Sequence, residues 1–171
     1  GEPGNGRSHL LEAMVRQVLS SGGSACLLSG EELLRTHPAV LEGLESMSLV
    51  AIDDVNRLAG NRDWEEALFH LYNRVRAERG AMLFSASLPP SQSSFGLPDL
   101  ASRFAAGPVF QLHPLDDAGR QKLLVARAAA RGLEVTEAVV SYLLVRTASR
   151  RAALLARLAL LVRTALVDQH G

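Results

Sequence analysis

The first eight residues, Gly1-Glu2-Pro3-Gly4-Asn5-Gly6-Arg7-Ser8, combine glycines, one cation and one hydroxyl at the spacing G-x-x-x-x-G-basic-Ser, directly ahead of an apolar helical pattern. Those residue types at that spacing suit the binding of a phosphate. Glycines let successive backbone N–H groups turn inward around an anion, and the helix that follows adds the positive end of its dipole. Arg7 stands where such loops usually carry lysine, and Ser8 offers a hydroxyl to magnesium. Arginine keeps the cation but is longer and planar, so it can hold a diphosphate while placing its charge differently along a γ-phosphate. Nucleotide retention is therefore easier to expect than turnover. A glycine-rich start with no nucleotide chemistry looks the same, so the loop by itself leaves both readings open.

A second feature bears on that choice. Leu49-Val50-Ala51-Ile52-Asp53-Asp54 is an apolar run of strand length that ends in two carboxylates. In P-loop enzymes the first acid at such a point binds magnesium and the next polarises the attacking water. Asp53 takes the magnesium role and Asp54 the catalytic one. Many related ATPases carry glutamate in the second position, and the missing methylene holds the carboxylate of Asp54 back from the water. A solvated aspartate pair opening a turn is the bland alternative. Taken with the loop, the nucleotide reading is favoured.

These residues need elements to position them. Leu10, Leu11, Met14, Val15, Val18 and Leu19 recur at helical spacing behind the loop, and Trp64, Leu68, Leu71, Tyr72 and Val75 form one apolar helical face. Four short apolar runs, Ala25 to Leu28, Leu49 to Ile52, Ala81 to Phe84 and Val109 to Leu112, have strand length. Strands alternating with helices imply an α/β fold with a parallel sheet. From Asp116 the texture changes to Ala/Leu/Arg helices, about 116–131, 136–147 and 149–168. The expected organisation is an α/β subdomain over 1–115 and a helical lid subdomain over 116–171.

Composition excludes several classes. The 171 residues are 47% hydrophobic, enough for one ordinary core, and 18 basic residues balance 18 acidic ones, so no net field draws the chain to nucleic acid or membrane. The longest apolar stretch, Leu154 to Val167, is broken by Arg157 and Arg163 and is too short to span a bilayer. The single Cys26 permits no internal disulfide, which fits a reducing cytoplasm. The glycine-rich opening is not a secretory signal and reads as a chain cut from something longer.

Four segments carry a resemblance to a known family: Gly4 to Leu11, Ser48 to Asp54, Trp64 to Arg74, and Gly96-Leu97-Pro98-Asp99-Leu100-Ala101-Ser102-Arg103-Phe104. They resemble the AAA+ ATPases related to the bacterial replication initiator DnaA, and the tryptophan-containing helix and the Leu-Pro-Asp-Leu-Ala-Ser-Arg stretch look most like the regulatory Hda branch. The resemblance implies an AAA+ P-loop NTPase with a five-stranded parallel sheet and a C-terminal helical lid. It implies ADP (or ATP) with Mg2+, held by Gly1, Glu2, Pro3, Gly4, Asn5, Gly6, Arg7, Ser8, His9 and a lid arginine, with Ser8 and Asp53 at the metal. It also implies that the protein acts with the DNA-loaded sliding clamp of DNA polymerase III to make ATP-bound DnaA hydrolyse its nucleotide. Arg103 is then the arginine finger, a cation offered across a subunit interface to the partner's γ-phosphate; the bland alternative is a surface pair with Asp99. DNA is met mainly through partners, self-association is open, and the protein is cytoplasmic with weak or no ATPase of its own.

Three departures from the family pattern stand out. The sensor 1 position falls on Ser87, where an acidic or amide side chain is usual. The sensor 2 arginine aligns with Ala152, next to Arg150 and Arg151, so a one-residue shift of the helix start would let Arg151 reach the phosphates. The strand expected before the phosphate loop, central to the family's sheet, is not in this sequence, and the family's clamp-binding peptide lies near the N-terminus, so clamp binding is implied by the resemblance alone. Two other functions remain: an initiator or loader ATPase acting on DNA, and a nucleotide-free adaptor.

Overall fold

The computed structural model describes residues 6–129 together with 132, 136 and 139. The chain divides into two compact units, Gly1–Leu112 and His113–Gly171.

The first unit runs α1 (Arg7–Ser20), β1 (Ala25–Ser29), α2 (Gly30–Leu33), β2 (Leu49–Asp53), α3 (Arg62–Ala77), β3 (Ala81–Phe84) and α4 (Pro98–Ala105), with short 3-10 turns between several of them. The three strands form a parallel sheet in the order β1-β2-β3, with Ser29 opposite Asp53 on one side of β2 and Ile52 opposite Phe84 on the other. Parallel pairing buries both faces of a middle strand, which is why β2 reads as an unbroken apolar run. Its residues divide by parity. Val50 and Ile52 pack with Trp64, Leu68, Leu71 and Val75 of α3, while Leu49 and Ala51 pack with Leu11 and Val15 of α1. The result is three layers, helix on sheet on helix, with β2 in the centre of the core.

α3 is specified locally as well as by its apolar face. Asn61 caps it, its side chain accepting the Trp64 N–H at 3.4 Å, and Asp63 and Glu65 occupy the first turn while Arg74 and Arg76 occupy the last, matching the helix dipole. Asn61→Ala is expected to lower stability by about 1 kcal/mol, read as a shifted denaturant midpoint at unchanged slope.

The fourth apolar run departs from expectation. Residues 109–112 join no strand among those described; Val109 and Phe110 stand exposed, Phe110 at 82%. A strand exists through its ladder of backbone hydrogen bonds, and apolar composition alone cannot supply a neighbour for it. The described sheet therefore has three strands.

The second unit is described chiefly by α5 (Asp117–Ala129). Its start is set by Asp116, whose Oδ1 accepts the Gly119 N–H at 2.7 Å, and by Arg120, which reaches Asp117 at 3.2 Å and the carbonyl of Leu115. The helices expected over 136–147 and 149–168 lie almost wholly outside the described residues, as do Arg150, Arg151 and Ala152.

Candidate functional site

In an open parallel sheet, ligands sit beyond the carboxyl ends of the strands, where helix N-termini converge. Here that edge carries Ser29, Asp53 and Ser85, one polar residue at the end of each strand or just past it. The parallel register makes this necessary: Ile52 faces Phe84, so the next residues, Asp53 and Ser85, fall side by side.

Ser85 ties the edge together. It is buried, its hydroxyl donates to Asp53 Oδ1, and its oxygen accepts the Asp54 N–H at 2.9 Å. Its own N–H donates to the Ile52 carbonyl, and its carbonyl accepts the Val55 N–H at 2.9 Å. Asp54 thereby sits in the left-handed region at φ 49°. A non-glycine residue there costs on the order of 1 kcal/mol, least for Asp and Asn, so the surrounding bonds must hold the turn. Gly30 completes it: a Cβ at that position would lie 2.5 Å from the Asp54 carbonyl oxygen. Gly30→Ala must push the Asp53-Asp54 turn away from β1. It is expected to cost about 1–3 kcal/mol in unfolding free energy.

Arg7 comes to this turn from the other side. α1 begins at Arg7, with Gly6 at its N-cap in the left-handed conformation (φ 83°) that glycine adopts without strain. The Arg7 side chain, 13% exposed, places Nη2 3.0 Å from Asp54 Oδ1, whose side chain is 35% exposed. Its other terminal nitrogen, Nη1, is buried with no hydrogen-bond partner among the described residues. A buried guanidinium N–H left unmatched is costly, and it is the donor that a phosphate oxygen would satisfy. Arg7 thus fits the group its position in the sequence implies.

The other candidates are placed as follows. Ser8 and His9 are exposed on the first turn of α1, and among the described residues Ser8 has no hydrogen bond to Asp53. Gly1, Glu2, Pro3, Gly4 and Asn5 lie outside the described residues. No group of three His, Cys, Asp or Glu side chains clusters among the described residues; magnesium in nucleotide sites takes one or two protein ligands and completes its shell with phosphate and water. Ser87 is exposed, and its N–H donates to Asn56 Oδ1 at 3.0 Å. The hydroxyl on Asp53 is that of Ser85, two residues earlier. Counting outward from the strand pairing, rather than along the loop, would have found it.

Arg103 belongs to a separate feature. α4 is fastened by Leu100, fully buried, and by Phe104, whose ring centroid lies 4.5 Å from that of Phe84 and 5.2 Å from that of Phe95. Arg103 lies between these anchors in sequence and is exposed. It forms no ion pair among the described residues, and Asp99, one turn earlier, does not hold it. The loop into α4 is bound by Glu65 of α3, a residue that motif reading passed over.

Comparisons with known proteins bear on the fold and on the C-terminal third of the chain. A family model described as the Hda lid domain matches residues 117–171. A protein from Neisseria meningitidis, NMB1076, solved in solution, is 32% identical over 67% of this chain and 72% of its own, with a TM-score of 0.50. The chain belongs to the Hda-related, DnaA-like AAA+ family. Its fold is shared with domain III of DnaA from Thermotoga maritima, at 22% identity and TM-score 0.79 over 98% of this chain and 75% of that one. It is shared equally with DnaA from Aquifex aeolicus solved with AMPPCP, at 22% identity and TM-score 0.77 over 94% of this chain and 53% of that one. The chain spans about half the length, 52%, of a DNA replication initiation factor and of a DnaA whose structures it also matches. Among the described residues of this Hda-related chain no helix is long and apolar enough to cross a membrane.

Proposed function

We propose that the protein is an adenine-nucleotide-holding regulator which, with the DNA-loaded sliding clamp of DNA polymerase III, makes ATP-bound DnaA hydrolyse its nucleotide and so restrains initiation of DNA replication in the cytoplasm. Residues 1–115 serve as the nucleotide-binding subdomain and 116–171 as the lid. Gly1–His9 would hold ADP, with Arg7 supplying charge to its phosphates, Ser8 and Asp53 suiting Mg2+, and Arg151 serving as a further cation for the phosphates. A metal held there would neutralise charge at the phosphates. Arg103 acts in trans, at the γ-phosphate on DnaA.

The observation that carries this reading is Arg103, exposed and unpaired among the described residues on a helix anchored by buried Leu100 and by partly buried Phe104, which packs against the core. A surface arginine spends little by remaining unpaired, but a rigid helix that presents it suits a cation meant for a partner's phosphate. The Hda lid supplies the second support. Weak hydrolysis at the protein's own site follows from Asp54, whose carboxylate is turned to Arg7 at 3.0 Å rather than left open to polarise water. A nucleotide-free adaptor is favoured by that same ion pair, which fills part of the site, and an ADP titration separates the two: saturable binding supports the regulator, none supports the adaptor. The test of the regulatory role adds the full-length protein to ATP-loaded DnaA and DNA-loaded clamp. Faster ADP formation supports it, and an unchanged rate rejects it.

A further inference from the structure

Glu65 is 2% exposed, on the face of α3 that is otherwise apolar. Burying a carboxylate is unfavourable unless charge-assisted hydrogen bonds replace its water. Three backbone donors do so here: Gly60 N–H to Oε1 at 2.7 Å, Gly96 N–H to Oε1 at 3.0 Å, and Leu97 N–H to Oε2 at 2.7 Å. Two of the three belong to the residues immediately before α4. Leu97 is the N-cap of that helix and offers no side-chain cap, and Pro98 at the first helical position has no N–H. Glu65 is therefore what fixes how the chain enters α4 from its N-terminal side. Leu100 and Phe104 fix the rest of the helix against the core.

We infer that Glu65 is a positioning residue for Arg103: by clasping the backbone of Gly96 and Leu97 it sets the angle and rotation at which α4 presents the guanidinium to a partner's phosphates. This rests on the trans role of Arg103 given above. Neutral glutamine is nearly the same size, but its NH2 would face one of the backbone N–H groups where a carboxylate oxygen accepts now, so one bond is replaced by a clash of donors. Rate enhancement by a finger depends on placement to well under 1 Å, whereas docking of the whole surface does not.

The test compares full-length wild type, Glu65→Gln, Glu65→Asp and Arg103→Ala by two readouts. The first is amide hydrogen exchange, which needs no partner. In Glu65→Gln, exchange over residues 96–105 is expected to rise by about ten-fold or more while the amides of β2 keep their protection. The second is ADP formation from ATP-loaded DnaA with DNA-loaded clamp, titrated with each variant. Glu65→Gln is expected to lower the maximal rate by about a hundred-fold at an unchanged half-saturating concentration, with Glu65→Asp, which keeps the charge, falling between it and wild type. Unchanged exchange over 96–105, or a rise shared equally by β2, overturns the inference. So does a full maximal rate in Glu65→Gln where Arg103→Ala is inactive. If wild type itself fails to stimulate DnaA, the trans role of Arg103 fails instead, and the exchange result still decides whether Glu65 holds α4.

Discussion

Arg103→Ala is expected to abolish stimulation of DnaA's ATP hydrolysis while leaving the protein folded and still able to bind ADP. A finger supplied in trans stabilises charge that develops on the transferring γ-phosphoryl group, and its loss is worth roughly a thousand-fold or more in rate. The structure gives the reasons for expecting a clean result. The Arg103 side chain is exposed and makes no ion pair among the described residues, so truncating it leaves no buried group unmatched. Leu100 and Phe104 continue to hold α4. Arg103→Lys keeps a cation but loses the planar fork that spans two phosphate oxygens, and it should recover only a small part of the rate. Hydrolysis followed at saturating variant, beside an unfolding free energy within about 0.5 kcal/mol of wild type, checks both halves of the claim.

Arg7→Ala is expected to weaken ADP binding by about a hundred-fold, close to 3 kcal/mol. Two effects add. The buried Nη1, unmatched among the described residues, is lost as a donor to phosphate. Asp54, which now has Arg7 at 3.0 Å, is left as a bare carboxylate at the edge of the phosphate site and repels the ligand. Arg7→Lys retains one charge that cannot serve phosphate and Asp54 together in the same way, so its loss should be smaller. Calorimetric titration of ADP into the three proteins measures the order. Equal affinity in wild type and Arg7→Ala would place the phosphates elsewhere.

Much of the fold could be read from residue pattern because its signals are local. The period of Trp64, Leu68, Leu71 and Val75 marks α3, and the unbroken apolar run Leu49 to Ile52 marks a strand covered on both faces; both stand where expected. Val109 to Leu112 shows the limit. Its composition is that of a strand, but whether it joins a sheet depends on a neighbour that composition does not reveal, and no described strand pairs with it.

The site divides in the same manner. That the loop and the acidic strand end serve one site could be anticipated, because each is a contiguous motif; the ion pair of Arg7 with Asp54 could not. Ser85 and Glu65 could not be found that way. The contact between Ser85 and Asp53 spans 32 residues and exists only because β2 and β3 run parallel in a particular register. Glu65 lies inside a stretch already recognised for its family likeness, where an acidic residue in the first turn of a helix is explained by the dipole alone. That it turns inward to bind the loop before α4 is a tertiary fact. Gly30 is similar: its need to be glycine comes from the Asp54 carbonyl crossing above it, not from a turn of its own.

The most direct measurement follows whose nucleotide is broken. DnaA is loaded with labelled ATP, the full-length regulator is supplied with unlabelled ADP, and label conversion is followed in a single turnover with DNA-loaded clamp. The account predicts that labelled ADP forms rapidly with the wild-type protein and at the unstimulated rate with Arg103→Ala. Conversion that is no faster with wild type than without it, or equally fast with Arg103→Ala, would contradict the claim that Arg103 acts on the partner's γ-phosphate.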